Sequence, residues 1–168
     1  MGKMMDKVLW AEPLTAEAFA PFGKVIEAKE NSHRINDGHG ERFSDLCQLE
    51  FRRQKGLPSV GIVRARPFEE PLFITKMEAH PHSSQSFIPL ERRPFLVIVA
   101  PCGAFLPDEM KAFLAAGHQG IHYARGVWHH PLTALREGQE FLVIDGGGRE
   151  DDLLLEKLDG PRVAYRLP

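Results

Sequence analysis

Histidine is concentrated in one short stretch of the sequence, residues 122–132, which reads HYARGVWHHPL. Three of the eight histidines of the chain lie there, with a tyrosine, an arginine and a tryptophan around a single glycine. A second pair, His80 and His82, is separated by one proline. Because imidazole changes its charge near neutral pH and is also a common metal ligand, these groups could move a proton or hold a divalent ion. The pattern therefore predicts a site for acid–base or metal chemistry.

Charged side chains share faces with apolar ones on two predicted strands. In the run LFITKMEAHPH, strand alternation places Glu78 and His80 on the same side. In the run VGIVRAR, the same alternation places Arg64 together with a second arginine. An unpaired buried charge is costly, so each of these faces either looks at solvent or lines a polar pocket. The alternation leaves both alternatives open for Arg64, Glu78 and His80.

The elements that must position these groups are short and mostly strand-like. Apolar runs bounded by proline, glycine or acidic residues recur along the chain, as in SFIPL, FLVIVA, GIHYA and EFLVID. Two short helices are predicted, one capped by Thr15 that stops at Gly23 and one capped by Asp108 that stops before Gly117. Many short strands without βαβ alternation predict an antiparallel sandwich or barrel. With 168 residues, we expect a single domain over residues 1–168.

Composition and charge argue against several classes of protein. The net charge is -2 at pH 7 and no run of Lys and Arg stands out, so the basic surface that nucleic-acid binding requires is missing. The longest apolar run, FLVIVA, is far shorter than the ~20 residues of a membrane span. Cys47 and Cys102 form no CxxC pair, which favours free thiols in a reducing compartment. We therefore expect a cytoplasmic protein whose partner is a small molecule.

Two motifs resemble those of the cupin barrels. His80-Pro81-His82 followed by Gln85 is similar to the first cupin motif, and ARGVWH, which ends at His129, is similar to the second. The resemblance implies a mainly β, cupin-type double-stranded β-helix, an antiparallel barrel or jelly roll with a few short helices. If a divalent metal (nickel, zinc or iron) is bound, His80, His82, Gln85 and His129 are the expected ligands. A cavity without metal, in which the imidazoles bind and transfer protons, is the alternative.

A larger part of the chain, roughly residues 14–148, resembles the ureidoglycolate lyase family. The matching segments are EAFAPFGKVIE, INDG, ERFSDL, EAHPHSSQSFIPL, FLVIVA, MKAFLAAGHQGIHYARGVWHHPL and FLVIDGGG. The chain departs from the family at Ala79, where a basic residue is usual, and at Gly146, where an arginine is usual. It also has Ser83-Ser84 before Gln85 in place of a GT step. If the usual arginine holds the substrate carboxylate, the Gly146 departure bears on substrate choice and leaves the fold unaffected.

The resemblance implies cleavage of (S)-ureidoglycolate to glyoxylate and urea, a step of allantoin and purine-nitrogen degradation. In this elimination a base takes the hydroxyl proton and an acid protonates the departing urea nitrogen. We expect His80 and His129 to transfer these protons, with Glu78 orienting one imidazole. Arg64 is expected to anchor the substrate carboxylate, because a planar guanidinium pairs with a carboxylate through two hydrogen bonds.

Three further residues are expected to contact the substrate: Gln85 and Tyr123 through hydrogen bonds, and Asn36 from a loop before the barrel.

One alternative activity is a metal-dependent cupin enzyme that acts on another small carboxylic acid. The alternative outside enzymes is a cupin that binds a small ligand without turnover, although a collection of titratable groups favours an enzyme. Open sheet edges and an N-terminal arm predict a homodimer.

Overall fold

Two β-sheets that pack against each other carry almost all of the regular structure. The computed structural model describes residues 7–52, 57–147 and 150–167. Within these residues the elements follow in this order: β1 (Val8–Pro13), α1 (Ala16–Phe19), β2 (Gly23–Ile26), β3 (Ser32–Ile35), β4 (Gly40–Phe43), β5 (Ser59–Ala65), β6 (Lys76–Ala79), β7 (Gln85–Pro89), β8 (Phe95–Ala100), β9 (Lys111–Ala115), β10 (Gly120–Tyr123), β11 (Trp128–His129), β12 (Thr133–Ala134), β13 (Gln139–Asp145), β14 (Leu154–Lys157) and β15 (Arg162–Ala164).

The strand order is that of a jelly roll. The larger sheet runs β14-β6-β11-β8-β9-β1-β15, with β12 also paired to β8, and the smaller runs β2-β10-β7-β13-β5. Strands β3 and β4 form a separate hairpin. The pairings are antiparallel except those of β1, which lies parallel to β9 and to β15. The predicted mainly β, cupin-type barrel is therefore confirmed.

The main hydrophobic core lies between the two sheets. Phe87 and Phe141 of the smaller sheet and Val97 and Phe113 of the larger sheet belong to one buried cluster. A second cluster, which includes Met77 and residues of the opposite face of β8, covers the other side of the larger sheet. All six residues of β8 are buried because both of its faces are covered, which explains its continuous apolar run. Burying each large apolar side chain contributes about 1.5–3 kcal/mol.

One predicted helix is confirmed in shortened form and the other is wrong. The Thr15 hydroxyl accepts a hydrogen bond from the Ala18 amide at 3.2 Å, and α1 ends at Phe19 instead of Gly23. The second segment forms a 3₁₀ turn, Pro107–Glu109, and then strand β9. Pairing with β8 and β1 overrides the helical spacing there, because β9 buries side chains on both of its faces. No helix of the described residues is long and apolar enough to cross a membrane.

Candidate active site

Two neighbouring strands of the larger sheet position the central polar groups. His129 of β11 lies directly opposite Glu78 of β6, so both side chains project from the same face of the sheet. Met77 and Ala79 project to the other face and are buried in the second hydrophobic cluster. Glu78 therefore points toward the space between the sheets. Of the two alternatives for this strand, a face toward solvent or a face that lines a polar pocket, the second is found.

Three predicted residues meet at this end of the barrel. The ligand atoms of Glu78, His80 and His129 all lie within 4.8 Å of one another. The imidazole centroids of His80 and His129 are 5.3 Å apart, and Nε2 of His129 lies 3.7 Å from Oε1 of Glu78. We call these three residues the central cluster.

Two main-chain carbonyls determine which nitrogen of each imidazole faces the central cluster. Nδ1 of His129 lies 2.9 Å from the carbonyl oxygen of Val127, and Nδ1 of His80 lies 2.6 Å from that of Asp152. A carbonyl oxygen only accepts hydrogen bonds, so each Nδ1 carries a proton, and in the neutral imidazole the lone pair is then on Nε2. Both Nε2 atoms are buried and have no hydrogen-bond partner. The Nδ1 atoms thus contact these carbonyls, whereas Glu78, which was expected to orient one imidazole, lies on the Nε2 side of His129.

Burial shifts the pKa values of His129 and Glu78 toward their uncharged forms. Desolvation, together with the nearby His80, lowers the pKa of His129 to about 3, so this imidazole is neutral near pH 7. Desolvation also raises the pKa of Glu78, against the opposing effects of His80 and Lys76. A neutral imidazole and a carboxylate with a raised pKa are the forms that accept protons in general base catalysis.

A cavity of about 230 Å³ opens beside the central cluster. It is lined by Glu78, His80, Ser83, Gln85, Asp145, Gly146, Glu150, Asp152 and Leu153. Four of these residues are acidic and, among the described lining residues, none is Lys or Arg. An anionic ligand bound there would therefore need a positive charge from outside the described lining residues.

Gln85 and Tyr123 both lie at the site, in different positions. Gln85 lines the cavity, donates from Nε2 to Oδ2 of Asp145 at 3.2 Å, and leaves its buried Oε1 without a partner. The ring of Tyr123 stacks on His129, with centroids 4.3 Å apart and planes 12° apart. Burial, with the charge of Glu78, raises the pKa of Tyr123, so its hydroxyl stays protonated. Tyr123 therefore holds the His129 ring in place from one face.

Two predicted substrate contacts are not brought to the cavity. The side chain of Arg64 is 75% exposed and pairs with Glu140, with Nη2 and Oε1 2.7 Å apart. Of the two alternatives for its strand, the solvent-facing one is found, since Val60 and Ile62 on the same side are exposed as well. Asn36 is exposed, at the tip of the β3–β4 hairpin. The expected carboxylate anchor and loop contact are corrected accordingly.

The predicted set of metal ligands differs from the set that the fold brings together. His82 is outside the central cluster, and its main-chain amide donates to Oδ1 of Asp152 at 2.6 Å. Glu78 joins the two histidines in place of His82, while Gln85 lines the same cavity with its Oε1 unpartnered. A carboxylate and two imidazole nitrogens without hydrogen-bond partners form a donor set that fits a divalent transition metal.

Sequence reasoning missed one residue of the site, Asp152. Its carbonyl accepts from His80, and its carboxylate accepts from the loop that follows His80. It is only 5% exposed, although it ends a run of three acidic residues that is typical of a solvated surface. The three-residue run gives no local sign that its last member is buried, because the burial depends on a segment about seventy positions earlier.

Comparisons with known proteins found similar sequences that match almost the whole chain. A family model described as "Ureidoglycolate lyase" matches residues 6–162. A ureidoglycolate lyase of Brucella anthropi is 49% identical over 151 residues, 89% of each chain, and one of Brucella melitensis is 48% identical over 165 residues, 98% of this chain and 96% of that protein. One similar solved structure is that of QdtA, a sugar 3,4-ketoisomerase from Thermoanaerobacterium thermosaccharolyticum, in complex with TDP. The match has a TM-score of 0.45 and 15% sequence identity, and it covers 78% of this chain and 87% of that chain. The chain belongs to the ureidoglycolate lyase family.

Proposed function

We propose that this protein is a lyase that splits (S)-ureidoglycolate into glyoxylate and urea. Membership of the family and the names of its relatives support the substrate. The observation that carries the proposal is the pair of buried imidazoles whose Nε2 lone pairs face Glu78 without a hydrogen-bond partner. A site for this elimination needs groups that accept and return one proton, and it needs no covalent nucleophile.

The reaction moves one proton from oxygen to nitrogen. Nε2 of His80 or His129 accepts the proton of the substrate hydroxyl as the carbonyl of glyoxylate forms and the carbon–nitrogen bond breaks. The electron pair of that bond goes to the urea nitrogen, which takes a proton to leave as neutral urea. Nε2 of His129 and Oε1 of Glu78 lie 3.7 Å apart, too far for a direct hydrogen bond, so each group can contact the substrate separately.

Substrate binding uses acceptors that the cavity offers. The hydroxyl and the amide groups of ureidoglycolate are hydrogen-bond donors, whereas Oε1 of Gln85 and the carboxylate of Glu78 are acceptors. Stacking by Tyr123 and the hydrogen bond to the Val127 carbonyl fix the ring of His129 before the substrate arrives. Such preorganisation lowers the cost of aligning the reacting groups.

A metal-assisted form of the same activity is the second candidate, and the acidic cavity favours it. Glu78, His80 and His129 would hold a divalent nickel, zinc or iron ion. When bound, such an ion supplies positive charge that stabilises a negatively charged oxygen of the substrate. This charge would offset the four acidic residues that line the cavity.

The test is to incubate the purified protein with racemic ureidoglycolate and to follow glyoxylate release, with and without a chelator. We expect release to stop when about half of the racemate is consumed, because the proposal names one enantiomer. Activity that survives the chelator favours proton transfer by the side chains alone, whereas loss that nickel, zinc or iron restores favours the metal-assisted form. If neither sample releases glyoxylate, and the protein instead binds it, a ligand-binding role replaces the lyase.

We further propose that the protein acts as a homodimer in the cytoplasm. Support for the dimer comes from Val60 and Ile62, which are exposed on β5, an edge strand of the smaller sheet. Support for a reducing compartment comes from Cys47 and Cys102, which are both free thiols. Light scattering should give twice the mass of the chain, and the mass of a single chain would contradict the dimer.

A further inference from the structure

We propose that Asp152 is a positioning residue that holds the imidazole of His80 with its Nε2 lone pair facing the cavity. The inference rests on the proposed lyase function, to which it adds a residue outside the central cluster. Asp152 lies in the 3₁₀ turn Glu150–Asp152, immediately before the strand β14. Its main chain and its side chain contact the segment around His80 at separate points.

The main-chain carbonyl of Asp152 selects the tautomer of His80. The oxygen lies 2.6 Å from Nδ1 of His80 and can only accept a proton. If this carbonyl moved away, nothing else among the described contacts of His80 would keep the proton on Nδ1. The proton could then move to Nε2, which would convert the lone pair that faces Glu78 into a donor.

The carboxylate of Asp152 keeps this carbonyl in place. Oδ1 accepts the main-chain amide of His82 at 2.6 Å, and Oδ2 accepts the hydroxyl of Ser83 at 2.5 Å. Both donors belong to the loop that directly follows His80. A carboxylate that is buried gains most from such charge-assisted bonds, because it has lost contact with water. The 3₁₀ turn and the His80 loop are therefore fixed to each other through one side chain.

Gly146 leaves the space that this arrangement needs. A methyl group at position 146 would lie 2.9 Å from Oγ of Ser83 and 3.2 Å from Oδ2 of Asp152. Any side chain at this position would have to displace the Ser83–Asp152 pair. The absence of a side chain at position 146 and the buried Asp152 are thus two parts of one local arrangement.

Two substitutions at position 152 separate the effect of its hydrogen bonds from that of its charge. Asp152→Ala removes both side-chain bonds, and we expect kcat to fall about 10–100-fold with a smaller change in KM, as for other residues that orient a reacting imidazole. Asp152→Asn keeps an acceptor for the His82 amide and offers a donor to Ser83, whose hydroxyl can rotate. We expect this conservative variant to retain kcat within about threefold.

The decisive readout is the tautomer of His80, measured by long-range proton–nitrogen NMR correlations on the full chain treated with a chelator. In the wild type we expect the proton of His80 on Nδ1. In Asp152→Ala we expect signal from the Nε2-protonated form, whereas His129 serves as an internal control because the Val127 carbonyl holds its proton. A purely structural role of Asp152 would lower Tm and leave the His80 tautomer of the folded protein unchanged.

Several outcomes would overturn the proposal. A wild-type His80 with its proton on Nε2 does so without any variant, and so does a folded Asp152→Ala protein with unchanged His80 signals and kcat. If Asp152→Ala does not fold, Ser83→Ala decides, because it removes one of the two carboxylate bonds: unchanged His80 signals and kcat there reject the role. The tautomer is measured without substrate, so a failure of the lyase function is distinguishable from a failure of this inference.

Discussion

His129 and His130 are neighbours in the sequence, but they lie in two different regions of the molecule. Both are buried, 1% and 2% exposed, and desolvation lowers both pKa values, to about 3 and about 4. His129 faces Glu78 in the central cluster. His130 lies 4.9 Å from the ring of Phe68, and its Nδ1 contacts the hydroxyl of Thr133 at 2.9 Å.

The two histidines differ in whether a buried ring nitrogen lacks a hydrogen-bond partner. Nε2 of His129 is buried beside a carboxylate and has no hydrogen-bond partner, which is costly in a structure that only needs to be stable. His130 also bonds neighbouring residues through Nδ1, as His129 does, but its Nε2 is not among the buried polar atoms that lack a hydrogen-bond partner. Burial and a lowered pKa therefore do not distinguish a reacting histidine from a structural one, whereas an unpartnered nitrogen that faces a titratable group does.

The largest effect should come from His129→Asn. Removal of the imidazole should lower kcat about 10²–10⁴-fold, the usual contribution of a proton-transferring group. His130→Asn is the matched control and should keep kcat close to the wild-type value. Steady-state glyoxylate release measures both, with circular dichroism to show that each variant is folded. An active His129→Asn protein would remove this residue from the mechanism.

Glu78→Gln should have the next largest effect. The amide keeps the shape of the side chain but cannot take up a proton, so we expect kcat to fall about 10–100-fold. The control is Glu140→Gln, since Glu140 pairs with Arg64 at the surface. Equal rates for the two variants, measured at saturating substrate, would show that the central cluster does not need the Glu78 charge.

Thr133→Val should lower the stability of the protein and leave kcat unchanged, which is the opposite of the effect expected for His129→Asn. It removes the hydroxyl that contacts His130 and costs about 1–3 kcal/mol of unfolding free energy, because a buried partner is lost. Urea denaturation measures this change. The assignment of His130 to a structural role fails if kcat falls and the unfolding free energy is unaltered.

The smallest effect should come from Arg64→Lys. Exposed ion pairs contribute about 0–1 kcal/mol, and this one lies outside the cavity, so KM for ureidoglycolate should change by less than about twofold. Initial rates over a range of substrate concentrations measure it. A large rise in KM would return Arg64 to the substrate site, for example across a dimer interface.

The barrel and the central cluster could be predicted because they depend on local patterns. Alternation placed Glu78 and His80 on one face, and the resemblance to the two cupin motifs predicted that His129 lies near His80; the structure adds that His129 pairs with Glu78. Alternation could not decide which face of β5 looks inward, since Val60 and Ile62 are apolar but exposed. The buried role of Asp152 could not be predicted at all, because its partners lie 69 to 72 residues away in the sequence.

The most direct test of the central claim is a crystal structure with the product glyoxylate bound. We predict that glyoxylate occupies the cavity beside Glu78 and His80, with a hydroxyl of its hydrated form donating to Nε2 of His80 or His129, or with an oxygen bound to a metal held by them. A larger cavity of about 610 Å³, lined in part by Arg93 and Arg136, offers the positive charge that an anion seeks. Glyoxylate in that cavity, with the central cluster unchanged, would contradict the proposed site.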